Sequence, residues 1–187
     1  MTEGLGAHSD GAAAGVRPSR GSLAGMMNLS ERDIYWMNRA LVLAREAALR
    51  GEVPIGAVVV DPRGGELGHE LAAAGNTREA NVDPCGHAEV NAIRAAATVR
   101  NDWRLDGCEL FVTLEPCAMC TGAMVLARVA RCVFATADPK GGFCGTLGSL
   151  HEHPGLNHKV FVTSGVLEHE SAEMLRTFFK SLRRKVR

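Results

Sequence analysis

Thr113-Leu114-Glu115-Pro116-Cys117-Ala118-Met119-Cys120-Thr121-Gly122-Ala123-Met124 is the stretch where a strand gives way to a helix. The apolar run Cys108 to Leu114 reads as a buried strand, and Cys117 to about Val129 reads as a helix. Two cysteines with two residues between them, at a helix start, can present both sulfurs to one tetrahedral ion. Upstream, His87-Ala88-Glu89 opens an Ala-rich helix that runs to about Val99. His87 can supply a nitrogen as third ligand beside Cys117 and Cys120. Three protein ligands leave one position for water, the arrangement of a catalytic zinc rather than a closed structural one. Glu89 is then free of the metal and can move protons between that water and a substrate nitrogen. Residues two apart on a regular helix face nearly opposite sides. His87 and Glu89 can therefore share a site only if both lie at the helix end, with the pocket wrapped around it.

The other elements follow from periodicity and punctuation. Ser30 is a candidate N-cap, with Asp33 three residues on and Leu29 and Ile34 at hydrophobic-staple positions. Ile34, Met37, Leu41, Ala44 and Ala48 recur at helical spacing, and Gly51 stops the helix. Val53 to Asp61 and Glu66 to Gly75 read as strands joined by the turn Pro62-Arg63-Gly64-Gly65. Asn76 to Gly86 is a loop. Arg131 to Thr136 is a strand, Asp138 to His158 a Gly-rich loop, and Lys159 to Thr163 a short strand. From Glu168 onward Leu175, Phe178, Phe179, Leu182 and Val186 hold a helical period. The order α-β-β-α-β-α-β-β-α predicts an α/β fold, a five-stranded mixed sheet with helices on both faces, whose strand order is left open. Trp36 and Trp103 read as packing anchors, and Cys108 and Cys132 as small core residues.

The 187 residues suit one domain with a tail. Residues 1–27 are rich in Gly, Ala and Ser without an aromatic residue, and read as a flexible extension before a domain at 28–187. Met26 or Met27 would serve as a later start. No apolar run is long enough to span a membrane, and no secretory signal is recognisable, so a cytoplasmic location is expected. In a reducing compartment the six cysteines point to metal or redox chemistry rather than a disulfide framework. The net charge of zero hides an asymmetry. After Glu173 come Arg176, Lys180, Arg183, Arg184, Lys185 and Arg187 with no acid, so a basic tip sits on a mildly acidic body.

These motifs resemble the bacterial tRNA-specific adenosine deaminases, the TadA family, from about Leu29 to the C-terminus. The resemblance rests on Glu52-Val53-Pro54-Ile55-Gly56-Ala57, Asn76, His87-Ala88-Glu89 and the Thr113–Met124 stretch. Asp138-Pro139-Lys140-Gly141-Gly142, Asn157-His158 and Phe178-Phe179 complete it. Cys85, Gly86 and Phe143-Cys144 depart from the pattern. The resemblance implies a cytidine-deaminase-like three-layer α/β/α sandwich, one zinc ion per subunit, and a homodimer with active sites near its interface. It also implies hydrolytic deamination of adenosine to inosine at the wobble position of a tRNA anticodon, in an arginine tRNA reading ACG. Carried over residue by residue, His87, Cys117 and Cys120 hold the zinc and Glu89 is catalytic. Asn76, Ala88 and Pro116 bind the base, while Asp138, Lys140, Asn157, Phe179 and Arg183 contact the anticodon loop. The rival readings are a deaminase of free guanine- or cytosine-type bases or nucleosides, a non-catalytic zinc subunit that positions RNA, and a thiol redox pair.

Overall fold

The computed structural model describes residues 29–185; the predicted extension at 1–27 lies outside them. The elements are α1 (Leu29–Leu49), β1 (Gly56–Asp61), β2 (His69–Gly75), α2 (Ala88–Arg100) and β3 (Glu109–Leu114). They continue with α3 (Ala118–Leu126), β4 (Arg131–Thr136), β5 (Phe161–Ser164) and α4 (Glu168–Lys185). One 3-10 turn, Leu150–Glu152, sits in the loop after β4. The five strands form one sheet in the order β2-β1-β3-β4-β5. β1 is antiparallel to both neighbours, and β3, β4 and β5 run parallel.

Side chains on successive strand residues point to opposite faces, and the core divides accordingly. Ala57, Val59, Leu110, Val112, Cys132 and Phe134 pack under α2 and α3 with Ala92, Ile93, Met124 and Val125. Val58, Val60, Phe111, Val133 and Ala135 pack under α1 with Trp36, Met37, Ala40 and Leu43. α4 joins the α1 side, where buried Ser171 donates from Oγ to the Thr113 carbonyl at 2.5 Å. The result is the expected three-layer α/β/α sandwich. α1 lies very close on the sheet, because a Cβ at Gly56 would strike the Ala40 carbonyl and the Ala44 nitrogen.

Several boundaries differ from the sequence reading. α1 already includes Leu29 and Ser30, so Ser30 is inside the helix rather than its N-cap; the staple involving the Leu29 side chain lies outside the described residues. Asp33 is not a capping residue either. It is buried, and its two oxygens accept from Arg131 at 2.9 and 2.6 Å. β1 begins at Gly56 rather than Val53, because residues 52–55 turn to line the end of the sheet. α3 ends at Leu126, since Arg128 takes a left-handed φ of 62°. Trp36 is a packing anchor whose Nε1 donates to the Leu67 carbonyl at 2.6 Å, whereas Trp103 is 57% exposed with Arg104 over its ring.

This topology brings the chemical segments to one place. The C-terminal ends of β2, β3 and β4 and the start of β1 share one end of the sheet. Ligands of open α/β sheets bind at such carboxyl ends. There the loop after β2 leads into α2, Pro116 leads into α3, and Asp138 follows β4.

Candidate active site

Both motifs sit at helix N-termini, one residue earlier than regular helix would place them. His87 is the N-cap of α2 (φ −75°, ψ 146°) and Cys117 that of α3 (φ −71°, ψ 175°). Both are extended, so their side chains leave the helix axis and meet in front of it. This resolves the His87–Glu89 difficulty: one residue precedes the helix and the other lies in its first turn. The helix N-termini also favour negative charge at this point.

His87 Nδ1 lies 3.6 Å from Cys117 Sγ and 3.5 Å from Cys120 Sγ, and the two sulfurs are 3.6 Å apart. A tetrahedral zinc with Zn–S of about 2.3 Å and Zn–N of about 2.0–2.1 Å separates its sulfurs by about 3.8 Å and sulfur from nitrogen by about 3.6 Å. The triangle therefore fits zinc in both donor type and spacing. The Cys117 thiol is pulled down to about 4, first by the hydrogen bond from Cys120 and further by that from His87. A low thiol pKa favours the thiolate that a metal requires.

Glu89 is buried beside the triangle, and its Oε2 has no hydrogen-bond partner among the described residues. Burial pushes its carboxyl up to about 6. A buried, unpartnered carboxylate oxygen is costly to leave in a core, and here it faces a cavity rather than packing. The cavity, about 610 Å³, is lined by His87, Glu89, Cys117, Asn76, Asp138, Lys140, Phe179 and Arg183, among others. That volume suits a nucleoside-sized group.

Two carboxylates that carry no part of the metal triangle shape the cavity walls. Glu115 is buried, and its oxygens accept from the backbone nitrogens of Asp138, Cys144 and Thr146, each at 3.0 Å, and from the Thr146 hydroxyl. Burial works to raise its pKa, but these hydrogen bonds outweigh it and hold the carboxyl below its usual value. Gly142 must lack a side chain, because a Cβ there would run into this carboxylate. Glu52, fully buried, takes the equivalent place under the loop after β2. The sequence alone marks Glu115 as a structural residue or one that orients a ligand, and the structure shows it holding the loop at residues 138–146; it gives Glu52 no role. Their partners are distant in sequence, and a Glu before Pro-Cys or after Gly carries no local sign of them.

Of the predicted substrate-contacting residues, Asn76, Asp138, Lys140, Phe179 and Arg183 line the cavity. Phe179 is 42% exposed, while Phe178 turns into the groove between α4 and α1, its ring edge-on to Phe179. Ala88 and Pro116 are buried and do not line the cavity; Ala88 packs in the core under α2 and α3. Asn157 is not brought to the cavity; it is exposed, and its carbonyl accepts from Arg128 at 3.0 Å. Arg78, absent from the sequence reading, also lines the cavity. Cys85 is exposed and Cys108 and Cys132 are buried.

The signature of the cytidine and deoxycytidylate deaminase zinc-binding region matches residues 30–136. A tRNA-specific adenosine deaminase of Bacillus subtilis (strain 168) is 47% identical over 154 residues, covering 82% of this chain and 92% of that protein. One of Agrobacterium fabrum (strain C58 / ATCC 33970) is 45% identical over 150 residues, covering 80% of this chain and 95% of that protein. A solved structure from work on A-to-I editing by tRNA:A34 deaminases at the tRNA wobble position superposes with a TM-score of 0.71 and 42% identity. It covers 75% of this chain and 99% of that one. A chain with this zinc-compatible triangle, which spans nearly all of such relatives at this identity, belongs to the zinc-binding cytidine and deoxycytidylate deaminase family, in its tRNA-specific adenosine deaminase branch.

Proposed function

We propose that the chain converts adenosine to inosine by hydrolysis at the wobble position of a tRNA anticodon. The observation that carries this reading is the unpartnered Glu89 oxygen, set beside the His87–Cys117–Cys120 triangle in a cavity rimmed by Arg78, Lys140 and Arg183. In this reading His87, Cys117 and Cys120 hold zinc, one ion per subunit. When bound there, zinc supplies the Lewis acidity that makes water nucleophilic near neutral pH.

The chain's own groups do the rest. Glu89 takes a proton from the attacking water as the bond from oxygen to C6 of adenine forms. It delivers that proton to the adjacent ring nitrogen, then takes the proton of the hydroxyl now on C6 and passes it to the departing amine. The bond from C6 to the exocyclic nitrogen then breaks, giving inosine and ammonia. Asn76 meets the edge of the flipped base, and the family resemblance adds Ala88 and Pro116 as contacts. Backbone amides at the start of α2 favour developing negative charge. Phe179 offers a ring on which a neighbouring base stacks, and Lys140 and Arg183 meet phosphates. Asp138 contacts the anticodon loop, and Asn157 does so away from the cavity, outside this chain's own pocket. The target base lies in a single-stranded loop, so no duplex must be melted. The reading includes, from the family resemblance, a homodimer, a cytoplasmic location, and an arginine tRNA with an ACG anticodon as substrate. Among the described residues no helix is long and apolar enough to cross a membrane.

A deaminase of a free base would use the same centre. The cationic rim favours a polyanionic substrate instead. The test sets an arginine-tRNA transcript with an ACG anticodon beside free adenosine, guanine and cytosine. Inosine at the wobble base alone is expected. Turnover of a free base with an untouched transcript would replace this reading with the rival.

A further inference from the structure

Glu52 is 0% exposed and forms no ion pair among the described residues. A carboxylate in that position is costly unless hydrogen bonds replace its water. Its partners are all donors: Asn76 Nδ2 at 3.1 Å, the Glu79 nitrogen at 3.2 Å and the Ala80 nitrogen at 2.8 Å. A carboxylate ringed by N–H groups acts only as an acceptor. It therefore settles which way the Asn76 amide lies, with nitrogen toward Glu52. Asn76 itself is 2% exposed, and its backbone nitrogen donates to the Ile55 carbonyl at 3.0 Å, so the residue cannot swing away. Oδ1 of Asn76, in the cavity wall, takes no hydrogen bond from any described residue.

We propose that Glu52 is a positioning residue that acts through Asn76. It locks the amide in one of its two orientations, so that the base edge in the cavity always meets the same donor–acceptor pattern. An amide that binds a base edge is useful only in one orientation, because the flipped form exchanges donor for acceptor. The same carboxylate also accepts from the backbone nitrogens of residues 79 and 80, so it stays in place beside Asn76. What Asn76 touches is taken from the proposed deamination of a flipped adenine. The locking itself follows from the hydrogen bonds alone.

The test is a double-mutant cycle of Glu52→Gln and Asn76→Ala, read as kcat/KM on an anticodon stem–loop RNA with adenosine at the wobble position. Zinc content and thermal midpoint are measured on each variant. Gln at position 52 keeps the shape but can donate as well as accept, so the Asn76 amide is no longer held one way. Each single substitution is expected to lower kcat/KM roughly tenfold to a hundredfold. The double variant is expected to match Asn76→Ala within about twofold, since residues acting through one another are not additive. Glu52→Asp, which keeps the charge, is carried alongside in case Gln does not fold; the same non-additivity is expected of it. Losses that multiply in the double variant, or a Glu52→Gln enzyme equal to wild type, would overturn the proposal. If wild type leaves RNA untouched but deaminates a free purine, the proposed substrate fails, and the same cycle on that purine still decides the role of Glu52.

Discussion

Gly142 and Glu115 show how single residues set the cavity. The Glu115 carboxylate gathers three backbone N–H groups and a hydroxyl from residues 138–146, and Gly142 leaves room for it. Gly142→Ala should force the two apart and displace Asp138 and Lys140. At least a tenfold fall in kcat/KM on RNA is expected, with zinc content unchanged, since small misplacements cost about that much or more. An unchanged kcat/KM would show that the loop tolerates the shift. The metal-compatible triangle was legible at this scale because Cys117 and Cys120 are neighbours on one helix end, and His87 and Glu89 on another. A supporting role for Glu115 was legible, but its loop partners were not, and Glu52 was not legible at all. Each acts on a segment more than twenty residues away in sequence, and an acidic residue carries no mark of whether it will be buried.

At the scale of elements, charge ties α1 to the sheet. Arg131 on β4 pairs with Asp33 on α1, and Arg32 pairs with Glu109 on β3 at 2.6 Å, all four largely buried. Removing one partner strands the other. Asp33→Ala should therefore lower the unfolding free energy by about 3 kcal/mol in a denaturant titration; a change below about 1 kcal/mol would mean that Glu109 and Thr163 suffice for Arg131. The β1–β2 hairpin carries a more exposed pair. The hydrogen bonds from Arg63, its side chain first, hold the Asp61 carboxyl down to about 2 from an ordinary 3.8. Its folded value is the lower one, so its contribution is present above the unfolded value and is lost as pH falls toward 2. Asp61→Asn should flatten the decline of the thermal midpoint between pH 4 and 2. The effect is of order 1 kcal/mol or less, because Arg63 is open to solvent. Element type was legible from periodicity throughout, but ends were not. Pro54 and Ile55 look like strand yet turn away, and the Asp33–Arg131 pairing joins residues that no local pattern connects.

For the whole molecule, the decisive arrangement is that two helix starts, two loops and the last helix converge on one end of the sheet. The order of strands that produces this was not legible, because five short strands of similar composition admit several sheets. Arg78, Lys140 and Arg183 come from three distant segments, and only the fold assembles them into a rim. If they meet phosphates, log KM for RNA should rise with log salt, and each replacement by Ala should reduce that slope by roughly 0.7. A slope unaltered by all three would place the RNA elsewhere. Glu89 moves the protons in the proposed zinc-dependent deamination of a wobble adenosine. The most direct measurement is inosine at that position in an ACG-anticodon transcript, with wild type and Glu89→Gln assayed in parallel and zinc counted in both. Inosine is expected with wild type only, with about one zinc per chain in each protein. Inosine formed equally by Glu89→Gln, with zinc retained, would contradict that role.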